Sequence, residues 1–202
     1  FIRELGIEEP TLLGYLLPDT YAFLWGTSEK KVIRFLVGNT KEIFKADSVQ
    51  EALKKNNMTM HDVLTLASII EGEAILDKER PIIASVYYNR LNRGMRLQAD
   101  PTIQYIIKGP PRRLLLKDLE IDSPYNTYKY KGLPPGPINN PGKLSILAAV
   151  FPAQTNYLFF VARGDGSHIF SRTRKEHARA KREFDKIRRQ VRLEKKKSRN
   201  AN

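Results

Sequence analysis

The sequence predicts an α+β fold, a mixed helical domain with a small antiparallel sheet and long proline-rich loops. Apolar residues recur at helical spacing in several segments of the 202-residue chain. One pair of short strand-prone segments flanks a glycine-containing turn, the pattern of a β-hairpin. Residues 109–141 are rich in proline, and strands do not alternate with helices as they do in βαβ units.

The first three helices are predicted from their apolar spacing and their first residues. Residues 30–44 place apolar side chains at near-helical intervals, and residues 48–55 begin with Ser48 and Glu51 in the pattern of a capping box. The third helix begins at Thr59. Its apolar residues form one stripe: Val63, Leu66, Ala67, Ile70 and Ala74. We therefore expect one face of this helix to be buried.

The rest of the chain is predicted to contain two more short helices, a hairpin and a charged helix. The hairpin turns at Gly164, Asp165 and Gly166. In chain order the elements are a helix over residues 82–91, a helix over 144–150, strands over 157–162 and 167–170, and a helix from Glu176 onward.

Composition excludes several classes of protein. The chain has no cysteine, which excludes disulfide frameworks, thiolate zinc sites and cysteine nucleophiles. No apolar run reaches the roughly 18–20 residues that span a bilayer. Three histidines, His61, His168 and His177, share no metal-ligand spacing, so no metal site is predicted. Trp25 lies in a loop-like region and is expected in the core.

The net charge of +13 is concentrated near the C-terminus. Residues 172–199 carry fourteen Lys or Arg against four Asp or Glu, so the remainder is only modestly basic. Charge runs of this kind are usually solvated helix faces, and we interpret the segment as one. Binding of nucleic acid or of an anionic surface through this segment is the alternative.

Two glutamates mark the end of the third helix. Glu71 and Glu73 follow an otherwise apolar segment. A carboxyl group held against apolar surface is desolvated, so its pKa rises and it can act as a general acid near neutral pH. At about 100° per residue the two side chains flank the apolar stripe on opposite sides, so helix geometry alone does not choose between them.

Six stretches combine polar residues with rigid turns in a fixed order. They are GYLLPDTY at 14–21, ASIIEGE at 67–73, YNRL at 88–91, LQADPT at 97–102, YNTY at 125–128 and GLPPGPI at 132–138. With these motifs the chain resembles the YceG-like family of endolytic murein transglycosylases, from about Leu13 to about Phe184. Gly72 stands where related sequences often carry a longer side chain.

The resemblance implies a lyase that cuts the β-1,4 bond between N-acetylmuramic acid and N-acetylglucosamine inside peptidoglycan strands and leaves a 1,6-anhydro end. One glutamate serves as acid and then as base, without a cofactor or a metal. Carried over by position, the catalytic residue is Glu73. Glu71 is the second choice and is expected to tune or orient the site.

Seven further residues are candidates for substrate binding: Asn89, Arg90, Gln98, Asp100, Tyr125, Asn126 and Tyr128. The amides and Tyr128 suit hydrogen bonds to sugars, and Tyr125 offers a flat apolar face. Arg90 suits a peptide-stem carboxylate or one of the glutamates. Each has a structural alternative, and Asp100 in particular is also placed to cap a helix that starts at Thr102.

The predicted organisation is a catalytic domain over residues 1–190, with a helical lead-in over 1–58 and a core over 59–190. A basic tail over 191–202 is predicted to be disordered. Relatives typically carry a membrane-spanning helix and a LysM-like domain that are not visible in this chain. We therefore expect a single-pass protein of the bacterial cytoplasmic membrane with its catalytic domain on the outer side.

Peptidoglycan strands are the expected partner, and cell-wall synthesis proteins are further candidates. The main alternative is a non-catalytic module that binds peptidoglycan, or nucleic acid through the basic segment. Phe184 is the only aromatic residue after Phe170, which argues against stacking on single-stranded nucleic acid. A third possibility is ordinary hydrolysis, which gives reducing ends.

Overall fold

A computed structural model describes residues 1–107 and 109–200. The predicted α+β class is confirmed, because helices dominate and the described residues contain one two-stranded antiparallel sheet. The helices and strands are α1 (Glu29–Lys45), α2 (Asp47–Asn56), α3 (Met60–Glu73), α4 (Arg80–Asn92), α5 (Asp100–Ile106), α6 (Lys143–Val150), β1 (Phe159–Ala162), β2 (His168–Ser171) and α7 (Arg174–Asn200).

Helix α3 lies at the centre of the fold. It begins with a capping box in which the Thr59 hydroxyl accepts from the Asp62 backbone, and the Asp62 carboxylate accepts from the Thr59 backbone. All residues from Val63 to Ile70 are buried, because α4, α5 and α6 pack around the helix. The prediction of a single buried stripe was therefore wrong. Only the first and last turns of α3 leave the core.

Two predicted helix starts and one predicted core residue need correction. The cap of α2 is Ala46, without a side-chain hydrogen bond, so the predicted capping box at Ser48 is not formed. Helix α5 begins at Asp100 itself, capped by Ala99, rather than at Thr102. Trp25 is not in the core but fully exposed, with a relative accessibility of 104%. The spacing of apolar residues predicts that a helix is present but not the residue at which it begins, because the cap depends on backbone angles.

The predicted hairpin is confirmed, with its first strand starting at Phe159 instead of residue 157. Phe159 pairs with Ser171 and Ala162 with His168, and helix α7 packs against both strands. Residues 191–200, predicted to be a disordered tail, continue α7 as helix. None of the helices in the described ranges combines the length and the hydrophobicity of a membrane-spanning segment.

The proline-rich loop over residues 109–141 is hydrogen-bonded to α3. The Tyr15 hydroxyl donates to His61 Nδ1 (2.9 Å), and His61 Nε2 donates to the carbonyl of Pro135 (2.8 Å). Further along, the Ile138 backbone donates to the Ser68 hydroxyl (3.0 Å). The loop therefore runs along α3, from His61 in the first turn to Ser68, and the residue that follows it, Gly142, reaches Glu71.

Candidate active site

Glu73 is the last residue of α3 and lies where two clefts meet. Its side chain is partly buried, and the hydroxyl of Tyr87 on α4 donates to Glu73 Oε1 over 3.0 Å. Tyr87 is itself fully buried, so its hydroxyl is held in a fixed position. The carboxyl group thus faces the clefts from a rigid core helix.

Burial is the largest influence on Glu73 and raises its pKa to about 7. The hydrogen bond from Tyr87 acts in the opposite direction, the negative charge of Asp100 raises the pKa further, and the positive charge of Arg90 lowers it. A pKa near 7 means that both the acid and the carboxylate are populated at neutral pH. One group can then donate a proton and later accept one.

The larger cleft has a volume of about 720 Å³ and lies between the start of α5, the hairpin and α7. The second cleft has a volume of about 430 Å³ and lies between α5 and the proline-rich loop. Glu73 and Asp100 line both. An extended polymer can therefore lie across Glu73 with units on either side.

Asp100 and Tyr128 form a hydrogen-bonded pair at this junction. The Tyr128 hydroxyl donates to Asp100 Oδ1, and burial together with that bond raises the Tyr128 pKa well above its ordinary value. The loop that carries Tyr128 is joined to α5, because Thr127 Oγ1 accepts from the Ala99 backbone (2.9 Å). The sequence motifs around residues 97–102 and 125–128 thus meet in space.

Glu71 lies in a different environment from Glu73. Its Oε2 accepts from Arg80 Nη1 (3.2 Å) and from the backbone of Gly142 (3.1 Å), the residue that caps α6. Arg80 also donates to Ser145 (2.6 Å). Glu71 lines neither of the two clefts beside Glu73. It joins the end of α3 to the starts of α4 and α6.

Gln98 and Arg90 line the larger cleft, as their candidate roles require. Gln98 is exposed and has a φ of 48°, a left-handed conformation that is uncommon outside glycine. Arg90 is buried, donates to the carbonyls of Leu97 (2.6 Å) and Leu158 (2.7 Å), and forms no salt bridge within the described residues. Its charge reaches Glu73 across the cleft without direct contact.

Three other candidates lie outside the cleft linings. The amide of Asn89 donates to the carbonyls of Thr155 and Tyr157, both over 2.9 Å, so it holds the approach to β1. Asn126 is fully buried, donates to two backbone carbonyls and accepts from the backbone of Tyr128 (2.9 Å). In this conformation neither amide has a hydrogen left for a sugar.

Tyr125, the third of these candidates, stands behind the second cleft. Its ring centroid lies 4.9 Å from that of Tyr105, and Tyr105 lines the cleft. The aromatic face offered to a ligand there is that of Tyr105. Sugar binding by Asn89, Tyr125 and Asn126 stays a prediction.

Sequence reasoning missed a histidine and carboxylate pair in the wall of the larger cleft. His168 Nδ1 lies 2.7 Å from Glu79 Oε2, and the His168 backbone donates to Glu79 Oε1 (3.1 Å). Both side chains are only 8% exposed. The partners are 89 residues apart, so local spacing offers no signal. Tyr87 lies in the helix predicted over residues 82–91 and was not named as a site residue, although a hydroxyl on an apolar helix face is a signal for a buried hydrogen bond.

Two polar atoms near the clefts are buried without a hydrogen-bond partner in the described part of the chain, Asn139 Oδ1 and His177 Nδ1. The Asn139 amide is oriented by its donation to the Ser68 carbonyl (2.8 Å), and His177 stacks on Phe159. Asn139 lines the second cleft and His177 the larger one. Across residues 1–107 and 109–200, no group of three or more His, Asp or Glu is arranged to hold a metal ion.

Comparison with known proteins gives consistent matches. The model of the YceG-like family matches residues 3–183. An endolytic murein transglycosylase of Bacillus subtilis (strain 168) is 46% identical over 180 residues, and one of Streptococcus pneumoniae (strain D39) is 34% identical over 201 residues. Each match covers 89% of this chain, but only 49% and 36% of those proteins.

A solved structure also matches this chain. The crystal structure of a putative YceG-like protein from Listeria monocytogenes superposes with a TM-score of 0.74 at 42% identity. The match covers 88% of this chain and 58% of that one. The chain therefore spans about half the length of the relatives it resembles.

Proposed function

We propose, since the chain belongs to the YceG-like family, that it cuts peptidoglycan strands internally as a lytic transglycosylase. The bond broken is the β-1,4 bond between N-acetylmuramic acid and N-acetylglucosamine, and the product carries a 1,6-anhydro end. The observation that carries this proposal is Glu73, a partly buried carboxyl with a pKa of about 7 where two clefts meet.

Glu73 performs both proton transfers. In its acid form it donates a proton to the glycosidic oxygen as the bond from C1 to that oxygen breaks. The resulting carboxylate takes the proton of the muramyl 6-hydroxyl, whose oxygen forms the new bond to C1. No water is consumed, and Glu73 ends the cycle protonated as it began.

The neighbours of Glu73 tune this transfer in opposite directions. The Tyr87 hydroxyl occupies Oε1, which orients the carboxyl group and leaves Oε2 to carry the proton. Asp100 keeps the pKa of Glu73 raised through its negative charge. Tyr128, bonded to Asp100, holds that charge in place. In this proposal Tyr87, Asp100 and Tyr128 are one functional group with Glu73.

The cleft linings support an endolytic substrate. A bond inside a strand requires sugars on both sides of the acid, and a cleft adjoins Glu73 on each side. The larger cleft presents Gln98 and Arg90, and α7 adds the cations Arg174 and Lys181. These cations suit the carboxylates of peptide stems. The reaction then belongs at the outer face of the bacterial cytoplasmic membrane, which cell fractionation of the full-length protein tests.

The product distinguishes this function from its competitors. Purified glycan strands are incubated with the chain, and the fragments are weighed by mass spectrometry. We expect ends lighter by one water than reducing ends, products from the matched control Glu71→Gln, and at least about 100-fold slower product formation by Glu73→Gln. Reducing ends would show a hydrolase. Strands bound but never cut would show a binding module, and salt-sensitive nucleic-acid binding lost on deleting residues 172–202 would favour the nucleic-acid alternative.

A further inference from the structure

We propose that the turn over residues 23–27, called here the apex turn, docks on the surface of an anionic lipid bilayer and inserts Leu24 and Trp25 at its interface. Leu24 has a relative accessibility of 87% and Trp25 of 104%, so neither side chain packs on the protein. Two adjacent large apolar side chains at full exposure are unusual at the surface of a folded domain. This surface lies outside the clefts that contain Glu73.

The apex turn is a defined turn rather than a loose loop. The backbone of Thr27 donates to the carbonyl of Leu24 over 3.1 Å, and the Thr27 hydroxyl donates to the same carbonyl over 2.6 Å. Gly26 has a φ of 80°, the value that the third residue of a type II turn requires. Trp25 is therefore held at the outermost position, and little ordering is needed for it to enter another phase.

The apolar surface continues beneath the apex. Phe23 and Phe35 are 42% and 46% exposed, with ring centroids 5.5 Å apart, and Tyr21 packs edge-on against Phe35 at 5.3 Å. Four of the eleven exposed large hydrophobic residues in the described part of the chain thus fall within residues 23–35. Exposed apolar side chains that are scattered singly need no explanation, but Phe23, Leu24 and Trp25 are consecutive, and Phe23 packs on Phe35.

Cations flank the patch at the start of α1. Lys30, Lys31 and Arg34 are exposed there. Arg34 is paired with Glu4 at 3.1 Å, and Glu29 lies on the same turn of the helix, so these residues together leave an excess of one positive charge. Lysines beside an apolar protrusion are the charge pattern that anionic headgroups attract.

The shape of the patch favours a bilayer over a protein pocket. Trp25 is the second residue of the hydrogen-bonded turn over residues 24–27, is fully exposed and lines neither of the two clefts beside Glu73. Tryptophan concentrates at membrane interfaces because its ring is apolar while its N–H remains hydrated. A short apex with one Trp and one Leu reaches the headgroup and acyl boundary without unfolding the turn.

Tryptophan fluorescence tests the proposal directly, because Trp25 is the only tryptophan in the chain. The protein is mixed with vesicles of phosphatidylcholine alone or with added phosphatidylglycerol. We expect a blue shift and quenching by brominated acyl chains with the anionic vesicles, and much less with the neutral ones. An unchanged spectrum with both kinds of vesicle would overturn the proposal, and would also be the outcome if a protein partner covers the apex instead.

Cosedimentation with the same vesicles assigns the binding to its residues. The double variant Leu24→Ser with Trp25→Ser should weaken binding by roughly tenfold or more, and Lys30→Glu with Lys31→Glu should remove the preference for anionic lipid. Leu116→Ser is the matched control, since Leu116 is 84% exposed in a different segment, and it should bind normally. If the apex variant bound vesicles as tightly as the unchanged protein, the membrane contact would lie on another basic surface. The proposal for the apex turn would then be wrong.

The membrane proposal and the catalytic proposal fail separately. Cleavage of soluble glycan strands should be unchanged in the apex variants, because none of their positions borders Glu73. Lost cleavage with a normal melting temperature would show that the apex turn belongs to the glycan site instead.

Discussion

Glu71 and Glu73 leave the same helix two residues apart, and the fold places them in opposite surroundings. On one side, Glu71 meets the guanidinium of Arg80 and the backbone N–H of Gly142 at the joint of α3, α4 and α6. On the other, Glu73 receives only the neutral hydroxyl of Tyr87 and lies beside the negative Asp100. A paired carboxylate stabilises the joint, whereas a buried one without a direct cation keeps a proton near neutral pH. Partners, more than position along the helix, separate the carboxylate that is paired with a cation from the one whose pKa is raised.

The largest expected effect separates the two residues by activity. Glu73→Gln should slow strand cleavage by roughly 10²–10⁴-fold, the range of a lost general acid. Glu71→Gln, compared at equal amounts of folded protein, should retain most of the rate. Initial rates on purified glycan strands measure both. A folded but inactive Glu71→Gln beside an active Glu73→Gln would exchange their roles.

Stability should change in opposite directions for the same two variants. The Glu73 pKa is raised from 4.5 to about 7, so its contribution favours folding below pH 4.5 and is lost as the pH rises through 7. Glu73→Gln should therefore raise the free energy of unfolding at pH 8, by up to about 3 kcal/mol, with the difference vanishing near pH 4. Glu71→Gln should lower it by about 1–3 kcal/mol, because Arg80 keeps Asp77 but loses the carboxylate of Glu71.

Denaturant titrations of both variants from pH 4 to pH 8 measure these changes. Equal destabilisation by Glu73→Gln at both ends of that range would mean that Glu73 is structural.

Gly72, between the two glutamates, offers a third test. A Cβ there would lie 2.7 Å from Pro101 Cβ, so Gly72→Ala must displace the start of α5, and Asp100 with it. We expect cleavage to fall by up to about 100-fold, as for other small misplacements of catalytic groups. Gly38→Ala is the control, since nothing lies within 4 Å of its Cβ position. Unchanged cleavage by Gly72→Ala would show that the second cleft tolerates the shift.

The smallest expected effect is a pair of opposed shifts in the pH profile. In the proposed mechanism cleavage needs protonated Glu73, so kcat/KM should fall as the pH rises above about 7. Asp100→Asn removes a charge that raises the Glu73 pKa and should move this alkaline limb to lower pH. Tyr87→Phe removes a hydrogen bond that lowers the pKa and should move the limb to higher pH. Shifts in the same direction would contradict these assignments.

Much of the fold follows from local pattern. The helices and the hairpin were predicted to within a few residues, because apolar spacing and turn glycines act over short distances. The burial of α3 on all sides was not predicted, since spacing does not reveal how many neighbours a helix has. Trp25 was wrongly predicted to lie in the core, because a large apolar residue is buried only if another segment covers it.

The residues of the candidate site were likewise predicted only in part. Arg90, Gln98, Asp100 and Tyr128 were named from motifs, and they meet at the larger cleft. Asn89 and Asn126 have the same side-chain amide group as Gln98, but their amides donate to backbone carbonyls. Residue type predicts which bonds an amide can form but not which carbonyl will be near it.

The sequence by itself determined the α+β class, the order of the helices and the presence of two carboxylates at the end of an apolar helix. Only the tertiary structure decided their surroundings. Arg80 is 9 residues from Glu71, Gly142 is 71 residues from it, and Tyr87 is 14 residues from Glu73. A pKa depends on burial and on nearby charges, and both come from segments that meet only when the chain has folded.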